Sequence, residues 1–282
     1  MHTDTAPMAH KTESAVHCTM QAPADSAYFT RDALPFPFRT FFTARIAGTS
    51  GAPYDSLNLG LHVGDDPRRV RENRRRVFQA SKLDCGKEVI AQQIHGGAAA
   101  WVGKNESGYG SFSHADAVRD ADALVTRTAH LPLMALSADC LLLALGDPQT
   151  KVLSVIHAGW RGLAAGIIEN TLDQMQQNGA DTQRIYCAGA PCIGPCCFET
   201  GMEVVNALGR EHATPVNDHK AMLDLRAVAR QRLSRRGVPG EQMQFDPACT
   251  CCRSDLFFSH RRATRENQKQ QTGRMALVAW ME

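Results

Sequence analysis

From residue 36 onward the chain alternates short apolar runs with segments of helical periodicity. Apolar runs of four to eight residues that are bounded by Gly, Pro, Asn or Asp are typical of buried strands. The pattern predicts strands over 39–45, 89–94, 121–126, 131–136, 141–145, 151–157, 184–188, 256–259 and 275–280.

Helices are predicted where apolar residues recur every three or four positions behind a capping residue. The first helix begins at Pro67, after the Asp66 cap, and the second runs over 162–177 and ends before Gly179. The third runs from a capping box of Thr200 and Glu203 to Gly209, and the fourth runs over 222–236 and ends before Gly237. Strands and helices mix without a strict alternation. This favours an α+β fold or a layered α/β sandwich over a Rossmann or TIM fold.

The first predicted helix has two different faces. Val70, Val77 and Phe78 form an apolar stripe that should be buried. The opposite face carries six arginines, which we interpret as a solvent-exposed face rather than a nucleic-acid surface: Arg68, Arg69, Arg71, Arg74, Arg75 and Arg76.

Composition describes an ordinary globular protein. The 282 residues are 43% hydrophobic, and 31 Lys and Arg against 29 Asp and Glu give a net charge of +2. We expect a tail over 1–30 and a single domain over 31–282, because only the first 30 residues lack periodicity. Near-zero charge argues against a dedicated nucleic-acid binder, and no apolar run approaches the roughly 20 residues of a membrane span. A cytoplasmic monomer or homodimer is expected, whose ten cysteines include metal ligands or a nucleophile rather than disulfides.

The most informative segment is a predicted hairpin around Gly146-Asp147-Pro148. If its centre lies near position 148.5, Cys140 faces His157 across the strand pair. Opposed residues have Cβ atoms about 4.5 to 5.5 Å apart, so a thiolate and an imidazole could share one metal ion or one proton. This ligand pair suits zinc. His95 is the best third ligand, because it also ends a predicted strand before Gly96.

Each of the three residues also has a structural interpretation. Cys140 alone would usually be a small buried side chain, and a lone histidine usually belongs to a turn or a core. Their predicted register, with both strand ends running into glycine-rich turns, favours a joint site.

Several motifs resemble, in order, those of the laccase-domain family over residues 38 to 282. The quoted segments are Ser56-Leu57-Asn58-Leu59-Gly60, Gln93-Ile94-His95-Gly96, Ala138-Asp139-Cys140, His157-Ala158-Gly159-Trp160-Arg161-Gly162, Ile193-Gly194-Pro195-Cys196, Cys249-Thr250, Phe257-Phe258-Ser259-His260-Arg261-Arg262 and Thr272-Gly273-Arg274. His260 stands where the family more often has tyrosine.

The resemblance implies an α/β/β/α sandwich of mixed sheets with a catalytic zinc, or copper, on His95, Cys140 and His157. It implies phosphorolysis of adenosine, inosine and methylthioadenosine, with deamination of adenosine. Small-molecule nucleoside and phosphate would be the partners.

Residues for this chemistry are Cys140, His157 and Asp139, the last as proton carrier or, preferably, as orienter of a metal-bound histidine. Candidate substrate-binding residues are Arg161, Arg45, Asn58, Arg261 and Arg274. Arg161 is the strongest, because it lies where a helix is predicted to begin.

The alternative is a cysteine hydrolase or amidase acting on peptidoglycan precursors, which other family members suggest. Cys140 would then be the nucleophile and His157 the base, without a metal. A non-catalytic interaction protein using the arginine-rich helix would leave the Cys140 and His157 register unexplained.

True laccase activity is not expected. A multicopper oxidase needs His-x-His pairs and a histidine-rich blue-copper site, yet no two of the eleven histidines are two positions apart. A cytidine deaminase is excluded as well, because there is no His-x-Glu and the first cysteine pair of residues 191–196 is spaced by three residues.

The remaining cysteines are interpreted as structural. Cys85 and Cys187 should lie in the core. Cys192, Cys196, Cys197, Cys249, Cys251 and Cys252 outnumber the four ligands of a zinc site. Adjacent cysteines suit one metal poorly, so packing or turn roles are favoured over a second metal.

Overall fold

A computed structural model describes residues 28–267 and 271–282. The tail expected over 1–30, with His2, His10, His17 and Cys18, lies outside the described residues up to position 27, and positions 28–30 belong to the first strand.

Fourteen strands occupy the described part of the chain. They are β1 (Tyr28–Arg31), β2 (Phe38–Thr43), β3 (Val89–Ile90), β4 (Ala99–Trp101), β5 (Ala123–Thr126), β6 (Leu133–Ser137), β7 (Leu141–Asp147), β8 (Val152–Ala158), β9 (Tyr186–Gly189), β10 (Glu199–Gly201), β11 (Ala213–Asn217), β12 (Lys220–Leu223), β13 (Met243–Phe245) and β14 (Met275–Met281).

Six α-helices join them within the described residues: α1 (Pro67–Ala80), α2 (Trp160–Ala164), α3 (Ile167–Gln177), α4 (Met202–Leu208), α5 (Leu225–Arg235) and α6 (His260–Asn267). None is long and apolar enough to cross a membrane.

Two mixed sheets carry the architecture. The first has the strand order β1-β2-β14-β6-β3 and the second the order β13-β9-β7-β8-β5-β4. A small third sheet has the strand order β10-β12-β11. In the chain, its strands lie on either side of α4 and before α5.

The two large sheets pack face to face around a shared apolar core. On β6 of the first sheet Leu133 and Ala135 point into this core, and on β7 of the second sheet Leu142 and Ala144 do the same. Alternate residues of these strands point outward, since side chains of a strand alternate between its two faces.

Both outward faces are covered by helices. Met134 of β6 packs with Val77 and Phe78 of α1, and Leu143 of β7 belongs to a cluster with Leu172 of α3. The order helix, sheet, sheet, helix is the α/β/β/α sandwich that the resemblance implies. Burial of both faces also explains why these strands read as continuous apolar runs.

Most predicted elements are present, and the helices show three informative differences. The helix predicted over 162–177 is two helices, because Gly166 adopts a left-handed conformation (φ 80°) between them. The helix predicted over 222–236 begins only after Asp224, whose side chain accepts hydrogen bonds from Arg226 N and Ala227 N. The cap of α4 is Gly201, so the Thr200 and Glu203 capping box is wrong.

The strand predicted over 256–259 is a loop. Leu256 O accepts a hydrogen bond from Arg45 N, and Phe258 N donates to Met275 Sδ. Because these backbone hydrogen bonds go to different parts of the chain rather than to one neighbouring strand, the apolar segment is buried but does not form a strand.

The arginine face of α1 needs one correction. Asp66 caps the helix and Val70, Val77 and Phe78 are buried, as predicted. Arg74, however, is only 2% exposed, and its guanidinium donates to the carbonyls of Leu59, Gly110 and Ser111. It therefore ties two loops to α1 instead of facing solvent.

Candidate active site

Three potential metal ligands from separate parts of the chain converge at one end of the second sheet. His95 lies in the loop between β3 and β4, Cys140 directly precedes β7, and His157 lies near the end of β8. Their ligand atoms all lie within 4.8 Å of one another. The rings of His95 and His157 are edge to face, with centroids 4.8 Å apart.

The register that suggested this convergence is wrong by two residues. His157 pairs with Leu142 rather than Cys140, and Asp147 pairs with Val152. The turn has four residues and is centred at 149.5 rather than near 148.5, and Asp147 accepts hydrogen bonds from Gln149 N and Thr150 N within it. Cys140 reaches His157 from beyond the end of its strand.

Glycine permits the close approach of the three ligands. A Cβ on Gly159 would lie 3.0 Å from Cys140 Sγ and 3.2 Å from His95 Cδ2. On the other side of the site, a Cβ on Gly97 would meet the carbonyl of Ala165 at 2.4 Å. Both glycine-rich turns are therefore required by packing around the ligands.

Asp122 positions both histidines. Its Oδ1 is 2.8 Å from His157 Nδ1, and it also accepts hydrogen bonds from His95 N and Gly96 N. It precedes β5, which pairs with β8 so that residue 123 faces residue 156. A carboxylate that holds Nδ1–H leaves Nε2 of His157 for a metal ion.

Asp139 does not have the orienting role that the sequence assigned to it. Its carboxylate accepts hydrogen bonds from Thr250 Oγ1, Ser259 Oγ and Arg261 N. It has φ 103°, a conformation that residues with side chains rarely adopt. Asp139 thus fixes two distant loops against the turn that carries Cys140.

The protein charges of the site favour a thiolate. Burial opposes ionisation of Cys140, but the charge of His157 and hydrogen bonds from His157 and His95 lower its pKa to about 6. Burial likewise opposes protonation of His157, yet Cys140 and Asp122 raise its pKa to about 9. These shifts favour a thiolate beside an imidazolium when the site holds no metal.

The donor set also fits a metal ion. One thiolate and two imidazoles suit zinc, and a copper ion would accept the same donors. Asp122 fixes the tautomer of His157, and Gly159 leaves space beside all three ligands. The His/Cys cluster could therefore bind a metal ion.

The ligands lie in a cavity of about 780 Å³. Apolar side chains and a ring of polar ones line it: His62, Gln92, Gln93, Ile94, His95, His114, Leu136, Ser137, Ala138, Asp139, Cys140, His157, Trp160, Arg161, Ile193, Phe198, Leu225, His260, Arg261 and Arg274.

Three of the five predicted substrate-binding residues line this cavity. The Arg161 guanidinium stacks over the Trp160 ring at 4.4 Å, and that of Arg261 lies 5.6 Å from the Phe198 ring. Arg274 donates to the carbonyls of Thr272 and Gly273, and burial lowers its pKa.

Arg45 and Asn58 do not line the cavity. Arg45 binds the backbone carbonyl and carboxylate of Asp55. Asn58 is fully buried, and its Oδ1 accepts hydrogen bonds from Gly60 N and Arg274 N. The contacts of both residues in this structure are within the protein, and Asn58 positions the backbone of Arg274 beside the cavity.

His62, His114 and Asp122 were missed in the sequence. The His62 and His114 rings lie 4.9 Å apart in the cavity wall. Burial, assisted by Arg274, lowers the pKa of His62 to about 3, so it is neutral at physiological pH. Asp122 interrupts an apolar run, which is the one signal that could have found it.

The other cysteines of the described residues fall into three groups, apart from half-buried Cys251, which belongs to none of them. Cys187 and Cys192 are buried, as expected, whereas Cys85 is exposed and the core prediction for it is wrong. Cys196, Cys197, Cys249 and Cys252 form a cluster of four thiols, with sulfurs within 4.8 Å of one another. Its members were expected to be separate packing or turn residues.

The sequence and the fold are similar to those of several known proteins. The family model described as multi-copper polyphenol oxidoreductase laccase matches residues 39–282. Purine nucleoside phosphorylase YlmD of Geobacillus stearothermophilus is 36% identical over 242 residues, which cover 83% of this chain and 86% of that protein. Purine nucleoside phosphorylase YfiH of Escherichia coli is 36% identical over 244 residues, covering 85% and 92%.

Solved structures show the same architecture. The crystal structure of YlmD from Geobacillus stearothermophilus has a TM-score of 0.83 at 32% identity and covers 93% of this chain and 94% of its own. Neisseria meningitidis protein NMB0706 has a TM-score of 0.78 at 32% identity, covering 91% and 100%. With a match that spans nearly all of the described residues, the chain belongs to the multi-copper polyphenol oxidoreductase laccase family, the laccase-domain family that its motifs resemble.

Proposed function

We propose that this protein is a zinc-dependent purine nucleoside phosphorylase that acts on adenosine, inosine and methylthioadenosine. The observation that carries the proposal is the cavity itself, which combines the His95, Cys140 and His157 trio with the guanidinium groups of three arginines. The relatives named purine nucleoside phosphorylase support it.

Phosphorolysis requires that a phosphate and a nucleoside lie side by side. Arg161 and Arg261 offer permanent charges to phosphate, because guanidinium groups bind its oxygens in pairs. The apolar side chains of Ile94, Ile193 and Phe198 offer a surface for a purine ring. His62 is neutral, so it contributes hydrogen bonds rather than charge.

A zinc ion bound by the trio would act as a Lewis acid and lower the pKa of a bound water. The chain's own residues prepare the site for it. Asp122 holds the ring of His157, while Gly159 keeps the space beside Cys140 open.

Deamination of adenosine is proposed as a second activity of the same cavity. It needs an activated water near the purine but no phosphate. Product analysis separates the two reactions, since phosphorolysis of adenosine releases adenine and ribose 1-phosphate, whereas deamination releases inosine.

The alternative is a cysteine hydrolase or amidase that acts on peptidoglycan precursors. The pairing of the Cys140 thiol with His157 favours it, because Cys140 would be an activated nucleophile beside its base.

Cys140→Ser distinguishes the two functions. A hydroxyl is a much weaker zinc ligand than a thiolate, so the phosphorylase proposal expects a loss of both bound zinc and phosphate-dependent inosine cleavage. Metal analysis and a phosphorolysis assay measure these two quantities. Unchanged zinc content with lost activity would instead support the nucleophile, and wild-type protein that releases no ribose 1-phosphate would overturn the phosphorylase proposal.

A further inference from the structure

The thiol cluster, Cys196, Cys197, Cys249 and Cys252, lies outside the chemistry described above. Two loops form it, one between β9 and β10 and the other after β13. They are joined by a short parallel bridge between Cys192 and Cys249, and Thr250 N donates to Cys192 O at 3.1 Å.

The sulfurs have the spacing of ligands around one ion. Cys252 Sγ lies 3.6 Å from Cys196 Sγ and 3.4 Å from Cys197 Sγ. Four sulfurs at the corners of a tetrahedron with zinc–sulfur bonds of about 2.3 Å would be about 3.8 Å apart. A disulfide would require about 2.05 Å. An iron–sulfur cluster would hold the cysteine sulfurs farther apart, since several irons and sulfides lie between them.

The backbone around Cys249 is arranged as in a metal-binding turn. Cys249 and Cys252 are separated by two residues, a spacing common in zinc sites. Gly194 N donates to Cys249 Sγ at 3.1 Å, and a Cβ on Gly194 would lie 3.2 Å from Cys196 Sγ.

Positive charge surrounds the cluster. Arg261 donates to Cys197 O, Arg262 to the carbonyls of Thr250 and Cys251, and Arg226 to Ala248 O. A zinc ion with four thiolates has a net charge of −2, which these guanidinium groups would offset.

We propose that Cys196, Cys197, Cys249 and Cys252 form a second, tetrathiolate zinc site with a structural role. Four protein ligands leave no open position, so this site is closed, in contrast to the three-ligand site in the cavity. It joins the loop that carries Ile193 and Phe198 to the loop whose Thr250 binds Asp139. Zinc in the cluster thereby stabilises one wall of the cavity.

Metal content per chain tests the proposal. The wild-type protein should bind roughly two zinc ions, and Cys249→Ser and Cys252→Ser should each lose one of them. The double variant His95→Ala, Cys140→Ser disables the cavity site and should retain the other ion. Cys85→Ser, which changes an exposed cysteine outside both clusters, is the matched control and should retain both.

Cobalt substitution identifies the ligands without any activity measurement. Cobalt bound to the His95→Ala, Cys140→Ser variant should show intense thiolate-to-metal absorption, which Cys252→Ser should reduce and Cys252→His should largely preserve, because imidazole also binds the ion. If single cysteine variants fail to fold, this double variant alone still decides the question.

Three results would overturn the second zinc site. One is a double variant that binds neither zinc nor cobalt. Another is full reaction of the four cluster thiols with a thiol reagent in the native, zinc-supplied protein. The third is a disulfide among them in the purified protein, detected by mass spectrometry.

Discussion

Asp122 shows how one residue controls the geometry of the site. It contacts His157 through a side-chain hydrogen bond and His95 through the backbone, so it orients two of the three ligands. Its side chain is only 1% exposed, so water competes little for its hydrogen bonds. The carboxylate orients the His157 ring, and its negative charge also makes that imidazole a more basic metal ligand.

We expect Asp122→Asn to weaken zinc binding at the cavity by roughly 10- to 100-fold while the fold is retained. The amide is nearly isosteric but lacks the charge that supports His157. Competition with a chromophoric chelator measures the affinity. Asp120→Asn, at an exposed position two residues earlier, is the control, and an equal affinity for both variants would contradict the orienting role of Asp122.

Gly159→Ala tests whether space beside the ligands is required. Gly159 has φ −68° and ψ 163°, which alanine adopts without strain, so the expected effect is steric. The new methyl group would lie 3.0 Å from Cys140 Sγ and displace it, reducing zinc occupancy and activity. Metal analysis and an inosine phosphorolysis assay measure the two effects. Gly240→Ala, where a Cβ meets no atom within 4 Å, should change neither, and full occupancy in Gly159→Ala would contradict the steric argument.

At the scale of elements, the sequence predicts cores better than connections. Strands with both faces buried, such as β6, β7 and β14, follow directly from their apolar runs. The turn between β7 and β8 could not be placed from the sequence, since its length depends on hydrogen bonds that Asp147 makes after the chain has folded.

The candidate site was therefore found partly for a wrong reason. Cys140 and His157 meet, but the turn is centred one residue later than predicted, so the two residues are not directly paired. Asp122 was missed because its partner is 35 residues away, beyond any local pattern. A second metal site in the thiol cluster was considered and disfavoured, because adjacent cysteines suit one metal poorly and its two loops come together only through tertiary packing.

Asp147 also gives the β7–β8 turn a pH dependence. Burial alone would raise its pKa, but hydrogen bonds from Asp181 N, Arg184 and the turn amides outweigh it and lower the pKa. A carboxyl whose pKa is lower in the folded state stabilises the fold above its unfolded pKa of about 4. This stability is lost as the pH falls through the folded pKa.

We expect Asp147→Asn to lower the free energy of unfolding by about 1 to 3 kcal/mol at pH 7, with a smaller difference from wild type below about pH 4. Urea unfolding at several pH values measures this. Asp218→Asn, at an exposed position, should show little difference at any pH. A constant difference for Asp147→Asn down to pH 3 would show that the carboxylate charge is not involved.

At the scale of the whole molecule, the cavity is assembled from segments that are far apart in the chain. The loop after β3, the turn before β7, helix α2 and the segment around α6 each contribute a wall. The two sheets bring these ends together, and no local motif contains the complete set of cationic groups. Only in the folded protein does one cavity bring together Arg161, Arg261 and Arg274.

Arg161→Ala tests the phosphate role of this assembled site. Arg161 lies inside α2, and a helix of five residues has only a small dipole. Phosphate binding is therefore expected from the charge of the Arg161 guanidinium itself. Loss of a hydrogen bond from a charged group costs about 1.5 to 3 kcal/mol, and the KM for phosphate should rise by roughly 10- to 100-fold. Deamination of adenosine needs no phosphate, so it should change much less.

The measurement is a phosphate titration with inosine, together with a separate assay of adenosine deamination in the same preparation. Arg161→Lys should give an intermediate KM, since it keeps the charge but not the paired donors. Arg119→Ala, at an exposed position that does not line the cavity, should match the wild-type protein in both assays. Equal losses of both reactions in Arg161→Ala would mean that the arginine supports the structure of the site through its stacking on Trp160, and an unaltered KM for phosphate would place the phosphate with Arg261 or Arg274 instead.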